Sequence, residues 1–172
     1  MPNKVVETPY PLIDADPHAS RVIRYMRLSD YAVWAGATGA FPGVLYLWDK
    51  WDPSQLKLRT QLRLGGVFGF IGGFLLAYQR SSCAMIQVRF WGWSENKREE
   101  EKDLAELTDR ARRGLPLYGE SDQPAWVQTA AYHNSAFSQL KLHIFPMVNL
   151  VNHPHHGTDP EKYKPKDEPT SS

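Results

Sequence analysis

The sequence predicts an all-α protein: a transmembrane two-helix hairpin, preceded by an extended N-terminal segment and followed by C-terminal amphipathic and surface helices. Three observations predict it. Residues 31–48 and 64–79 carry no charge, although the whole chain has 20 Lys+Arg, 19 Asp+Glu and a net charge of +1. Aromatic residues crowd the ends of these stretches, and small residues recur along both at four-residue steps. The expected organisation is an extended arm over 1–28 and a hairpin over 29–93, with spans at about 30–49 and 64–88. A peripheral helical segment over 94–150 and an extended tail over 151–172 follow. The mean hydropathy of −0.48 averages over these unlike parts.

The arm, MPNKVVETPYPLIDADPHAS, has no apolar core of a secretory signal, and its three acids among the first 17 residues are unlike an Arg-rich presequence. Any targeting information is therefore expected in the mature chain. Asp14, Asp16 and His18 lie in PLIDADPH, a proline-bounded stretch with no visible pocket. They read as solvated turn residues rather than an acid–base cluster.

The first span holds 18 uncharged residues between Asp30 and Asp49. As a helix that is about 27 Å, close to a hydrocarbon core of roughly 30 Å. Tyr31 stands at one end, and Tyr46, Trp48 and Trp51 at the other, where half-buried rings favour the headgroup level. Pro42 frees one carbonyl, which neighbouring helices can satisfy. The second span begins after Arg63 and is uncharged to Gln79. Arg80 extends it if its stem lies along the helix and its guanidinium among the headgroups. Trp91 and Trp93 suit the same interfacial belt. The 15-residue connection DKWDPSQLKLRTQLR makes the spans a hairpin with both termini on one side. Arg21, Arg24 and Arg27 before it balance Lys50, Lys57, Arg59 and Arg63 in the connection, so the positive-charge rule does not orient it.

Glycine density decides what the second span is for. A phosphate-binding loop needs GxxxxGK[ST], and a dinucleotide fold needs GxGxxG after a strand; neither is present. Instead Gly65, Gly69 and Gly73 fall four apart on one helical face. Ala35, Gly39 and Gly43 form a matching ladder in the first span, and Ala32, Gly36 and Ala40 a second. Each interior glycine costs a helix up to about 1 kcal/mol. In lipid that cost is offset where small residues let backbones approach closely. These six residues, Ala35, Gly39, Gly43, Gly65, Gly69 and Gly73, are therefore the expected helix-packing positions. Trp48, Trp51, Arg80, Trp91 and Trp93 are the expected interfacial anchors.

Beyond the hairpin, SENKREEEKDLAELTDRARRG reads as a helix, with Ser94 as cap, arginines in its last turn and Gly114 beyond. Its apolar stripe of Leu104, Leu107 and Ala111 is narrow, the mark of a solvated surface helix. Residues 122–145 read as a second helix, capped by Asp122 and ended by Pro146. Trp126, Ala130, His133, Phe137, Leu140 and Ile144 form a broad stripe suited to a partner surface or to headgroups. The tail, rich in Pro and charge, is expected to be disordered alone or extended along a neighbour.

No chemistry stands out. The cluster His153, His155 and His156 lacks companion Cys, Asp or Glu at ligand spacing, and Pro154 prevents helical pairing. Hydrogen bonding in a docked turn is the better reading. Cys83, the single cysteine, sits in an apolar stretch as an inert thiol and excludes a disulfide scaffold. No GxSxG, HExxH or CxxC pattern occurs. The near-neutral charge gives no sign of nucleic-acid binding. No catalytic, cofactor-binding or metal site is assigned.

The segment KVVETPYPLIDADPHASRVIRYMRLSDY, 4–31, resembles the small two-span accessory subunits of fungal mitochondrial complex I (NADH:ubiquinone oxidoreductase) of the NUXM type. The likeness continues through FLLAYQRS, LYGES at 117–121 and VNHPHHGTDPEKY at 151–163. CAMIQV, 83–88, departs from it by separating QRS from the aromatic RFWG stretch. The resemblance implies an inner-membrane location in the membrane arm, a supernumerary role in assembly and stability, and no catalytic residues. It implies other membrane-arm subunits as partners, and through a more distant animal relative the antiporter-like ND2 core subunit. Membrane lipids are expected contacts. The alternatives are a small transporter or channel component, which needs ionisable groups inside a span, and another inner-membrane assembly factor.

Overall fold

A computed structural model describes residues 13–52, 57–86, 97–137 and 148–164. Among them are five α-helices and no strand: α1 (Ala19–Tyr25), α2 (Leu28–Trp51), α3 (Leu58–Ile86), α4 (Lys97–Arg112) and α5 (Ala125–Phe137). A 3₁₀ turn at Pro160–Tyr163 lies in the tail. Trp91, Trp93, Ser94, Leu140 and Ile144 lie outside the described residues.

α2 and α3 pack antiparallel. The register follows the contacts: Arg80 meets Asp30, Gly73 faces Trp34 and Ala37, Gly69 faces Ala37 to Phe41, and Gly65 faces Pro42 and Leu45. Pro42 does not interrupt α2, which runs through 24 residues. α3 starts at Leu58, inside the expected connection, so only residues 52–57 separate the two helices. Among the described helices only α3, over Leu58–Met85, has both the length and the apolarity of a membrane span. α2 is long enough, but its Ala, Gly, Tyr and Trp are weakly apolar. Of the two expected spans, the described residues therefore support one as a span by length and apolarity.

The N-terminal arm is not wholly extended, because α1 occupies 19–25. His18 caps it, its Nδ1 accepting from the Ser20 backbone N–H at 3.2 Å. α1 lies on the C-terminal third of α3, and their shared core is Ala19, Val22, Tyr25 and Met26 against Ala77, Tyr78 and Met85. Trp34, Phe74 and Val148 close over it. The Ser81 hydroxyl donates to the Val22 carbonyl at 2.9 Å. Residues 13–19 then thread between the end of α3 and the tail: Ile13 and Asp14 donate to the Met85 carbonyl, Ala15 to that of His156, and Ala19 to that of Asn149. The described part of the tail is thus docked on its own chain rather than left for a neighbour. α5 begins at Ala125, three residues after Asp122.

Candidate functional site

Two arrangements stand out. The first is the seam of the hairpin. Gly65, Gly69 and Gly73 are buried against α2. A Cβ at Gly73 would stand 2.9 Å from the Trp34 carbonyl oxygen, and one at Gly69 3.0 Å from those of Ala37 and Thr38. At Gly65 the obstacle would be the tip of Leu45, 2.6 Å away. Trp34 locks the crossing, its Nε1–H donating to the Phe70 carbonyl at 3.0 Å and its ring lying between Phe70 and Phe74.

The ladders of α2 are placed differently. A Cβ at Gly36, Gly39 or Gly43 would meet nothing within 4 Å, and Ala32, Ala35 and Ala40 are exposed. They face away from α3, so the face of α2 that α3 grips is made of Trp34, Ala37, Thr38, Phe41, Pro42 and Leu45 instead. Outside the seam the hairpin is apolar and uncovered: Val44, Leu47, Val67, Phe68, Phe70 and Ile71 are each at least half exposed. Trp48 and Trp51 are exposed at one end, while at the other Arg80 pairs with Asp30 at 3.0 Å rather than standing free.

The second arrangement is a buried ionic clamp that ties the arm, α4 and the tail together. Asp14 and Asp16 are fully buried, which overturns their reading as solvated turn residues. Arg21 binds Asp14 at 2.8 Å and also Asp103 of α4. Asp103 in turn accepts from the Tyr163 hydroxyl at 2.8 Å. His156 Nδ1 lies 2.8 Å from Asp14, and His153 Nε2 2.9 Å from Asp16. Ser135 of α5 also donates to Asp16. His153 Nδ1 accepts from the His155 backbone N–H, and its Nε2 lies 3.1 Å from the Asn149 amide nitrogen as well as 2.9 Å from Asp16. The His156 ring stacks on Tyr118 at 3.6 Å. The histidine cluster is thus a hydrogen-bonded turn, with His155 exposed beside it.

Around this centre two charged stripes interlock. Arg21, Arg24 and Arg27 recur every third residue; Glu99, Asp103 and Glu106 recur at steps of four and three. Arg27 holds Glu99 through two nitrogens at 2.7 and 2.6 Å, and Arg24 holds Glu106 at 2.8 Å. α4 is therefore not a helix solvated on all but its apolar stripe, since Glu99 and Asp103 are buried with Leu107. Each of these three arginines thus pairs with at least one carboxylate. The complementary spacing was visible in the sequence, as were the two aspartates of DAD and the three histidines of HPHH, two of which pair with them. What was missing was any sign that these segments meet.

Burial raises the Asp16 carboxyl above its ordinary value, against the pull of His153 and Ser135. It does the same to Asp103, against Arg21. Burial would lower Arg21, but Asp14 and Asp103 more than offset it and hold the guanidinium charged. The hydroxyls of Tyr25, Tyr118 and Tyr163 are all raised, first by burial and in Tyr163 next by its bond to Asp103. A folded-state value above the unfolded one stabilises below the unfolded value of about 10, and that stabilisation is lost as pH rises through the folded value. Alkaline titration followed by tyrosinate absorbance should therefore show these three rings ionising late, together with unfolding. Their ionisation near pH ~10 in the folded chain would contradict the burial.

The two carboxylate–imidazole pairs, Asp16 with His153 and Asp14 with His156, join the arm to the tail. Among the described residues no group of three or more His, Cys, Asp or Glu side chains converges as metal ligands. The arrangement holds distant segments of the chain together.

Comparison with known proteins agrees with this picture. Residues 7–95 match the family described as NADH-ubiquinone oxidoreductase complex I, 21 kDa subunit, and residues 104–170 match the family of the C-terminal part of that subunit. The chain is 45% identical over 164 residues to the NADH-ubiquinone oxidoreductase 20.9 kDa subunit of Neurospora crassa, covering 94% of this chain and 84% of that protein. An all-helical chain with an exposed apolar hairpin, an internally clamped peripheral part and this likeness along nearly its whole length belongs to the complex I 21 kDa subunit family.

Proposed function

We propose that the chain is a non-catalytic accessory subunit in the membrane arm of mitochondrial complex I, where it supports assembly and stability. The observation that carries this is the hairpin's surface. A glycine-tight seam holds two helices together, while large apolar side chains stand uncovered around them. A soluble monomer rarely exposes such a surface, whereas lipid and neighbouring helices cover it. We read α2 and α3 both as inner-membrane spans. α2 lacks the apolarity to cross unaided, but a partner on its small-residue face supplies close packing in place of greasiness. The antiporter-like ND2 core subunit is one candidate neighbour, and lipids cover the bulkier faces. α1, α4 and the described part of the tail gather at the Asp30–Arg80 end, which supports a reading with both termini on one side.

Isolation of the complex in mild detergent should retain this chain at one copy per complex. A membrane-impermeant thiol reagent should then reach a cysteine placed at Lys57 from one side of the inner membrane and one placed at Arg112 from the other. Labelling of both from the same side would refute the two-span reading.

A further inference from the structure

We propose that the cleft between α1, α4 and the loop 117–119 binds a phosphate group, carried by a lipid headgroup or free in solution. The cleft encloses about 280 Å³. Arg21, Arg24 and Arg110 line it, against the carboxylates of Asp14 and Glu106. With Asp103, which Arg21 also holds, three carboxylates balance the three guanidinium groups, so what the cleft offers an anion is unused N–H donors rather than net charge.

The arginines also have donors to spare. Arg21 is more than nine-tenths buried, and its Nε has no hydrogen-bond partner among the described residues. Arg24 spends one terminal nitrogen on Glu106. Arg110 spends Nε and one terminal nitrogen on the Pro116 carbonyl, at 3.1 and 2.9 Å. A guanidinium carries five N–H donors in a planar fork, so Arg24 and Arg110 each keep a terminal nitrogen to offer. Such forks match phosphate oxygens two at a time. Asn152 and His18 add polar groups to the wall, and Leu107 and Leu117 add an apolar side.

Size narrows the ligand. The volume lies just below the roughly 300 Å³ at which pockets for drug-sized molecules begin. It admits a phosphate with a short stem rather than a nucleotide. Position suggests the source, because α1 leads within three residues into α2, at the end of the hairpin where headgroups would lie. Only this lipid arm rests on the membrane reading.

Hydrogen exchange on the purified, delipidated complex tests the proposal by reading amides of residues 14–24 and 104–120 in this chain. Inorganic phosphate, or micelles doped with phosphatidic acid, should slow exchange there relative to chloride at equal ionic strength. Protection by phosphate in solution assigns a free-phosphate site, and protection by phosphatidic acid alone assigns a headgroup site. Protection by neither overturns the proposal. Arg24→Gln, at an exposed position, should weaken the effect about tenfold, and Glu106→Gln, which removes a competing carboxylate, should strengthen it by a similar factor. Equal protection in both variants also overturns it. Absence of the chain from the complex counts against membership instead, and is scored separately on the native gel.

Discussion

Replacing Gly69 with leucine is expected to remove this chain from the assembled complex. The added Cβ alone would stand 3.0 Å from two carbonyl oxygens of α2 and 3.1 Å from the Phe41 Cβ. Neither contact is the end of a flexible side chain, so α3 must move away from α2. Overpacking of this kind costs about 1–3 kcal/mol where a core can adjust, and more where backbone opposes backbone. The Trp34 to Phe70 hydrogen bond and the ring contacts beside it would be lost with the register. The control is Gly72→Leu, on the open side of the same helix, where a Cβ meets nothing within 4 Å. On native gels the Gly69 variant should leave a complex without this subunit, or a smaller assembly, while the Gly72 variant tests the outward face. Full incorporation of the Gly69 variant would show that the seam does not hold the hairpin.

Replacing Arg21 with methionine should unfasten the peripheral part from the hairpin. Methionine keeps much of the stem's bulk but leaves Asp14 and Asp103 buried without their common cation. Stranding a buried charge in this way costs roughly 3–5 kcal/mol, a large share of the 5–15 kcal/mol typical of a domain. Arg21→Lys should restore only part, because a single ammonium cannot span two carboxylates as a fork does. The exposed pair offers the contrast: Arg24→Gln should cost less than about 1 kcal/mol. Thermal unfolding of the purified chain in detergent reads the magnitude. Limited proteolysis reads the mechanism, with cleavage expected in the tail and in α4 before the hairpin. If Arg21→Met unfolds no earlier than Arg24→Gln, the clamp is not what joins these segments.

Much of the helical core was legible because it rests on local facts. Uncharged length, four-residue steps of glycine and a short connection place α2 and α3 to within a few residues at most ends. The seam of α3 follows from one property of Gly65, Gly69 and Gly73, the missing side chain, which acts wherever the helix goes. α2 shows the limit of that reasoning. Its ladders have the same spacing, yet they turn outward, because which face meets a partner depends on the register, and the register is set by Trp34, Pro42 and the Asp30–Arg80 pair.

The clamp was not legible, although each of its members was in view. Asp14 and His156 are 142 residues apart, and Arg21 and Asp103 are 82 apart. A lone aspartate in a proline-rich stretch is read as solvated because an unpaired buried charge is too costly. That reading reverses once a cation arrives from elsewhere in the chain. Sequence alone therefore determined the two long helices, the glycine face of α3 and the family, all of which are written in neighbouring residues, but not α1 or the outward turn of the α2 ladders. The tertiary structure decided which charges are buried and with whom, because the free energy of a charge is a property of its surroundings, and those are assembled only when the chain folds.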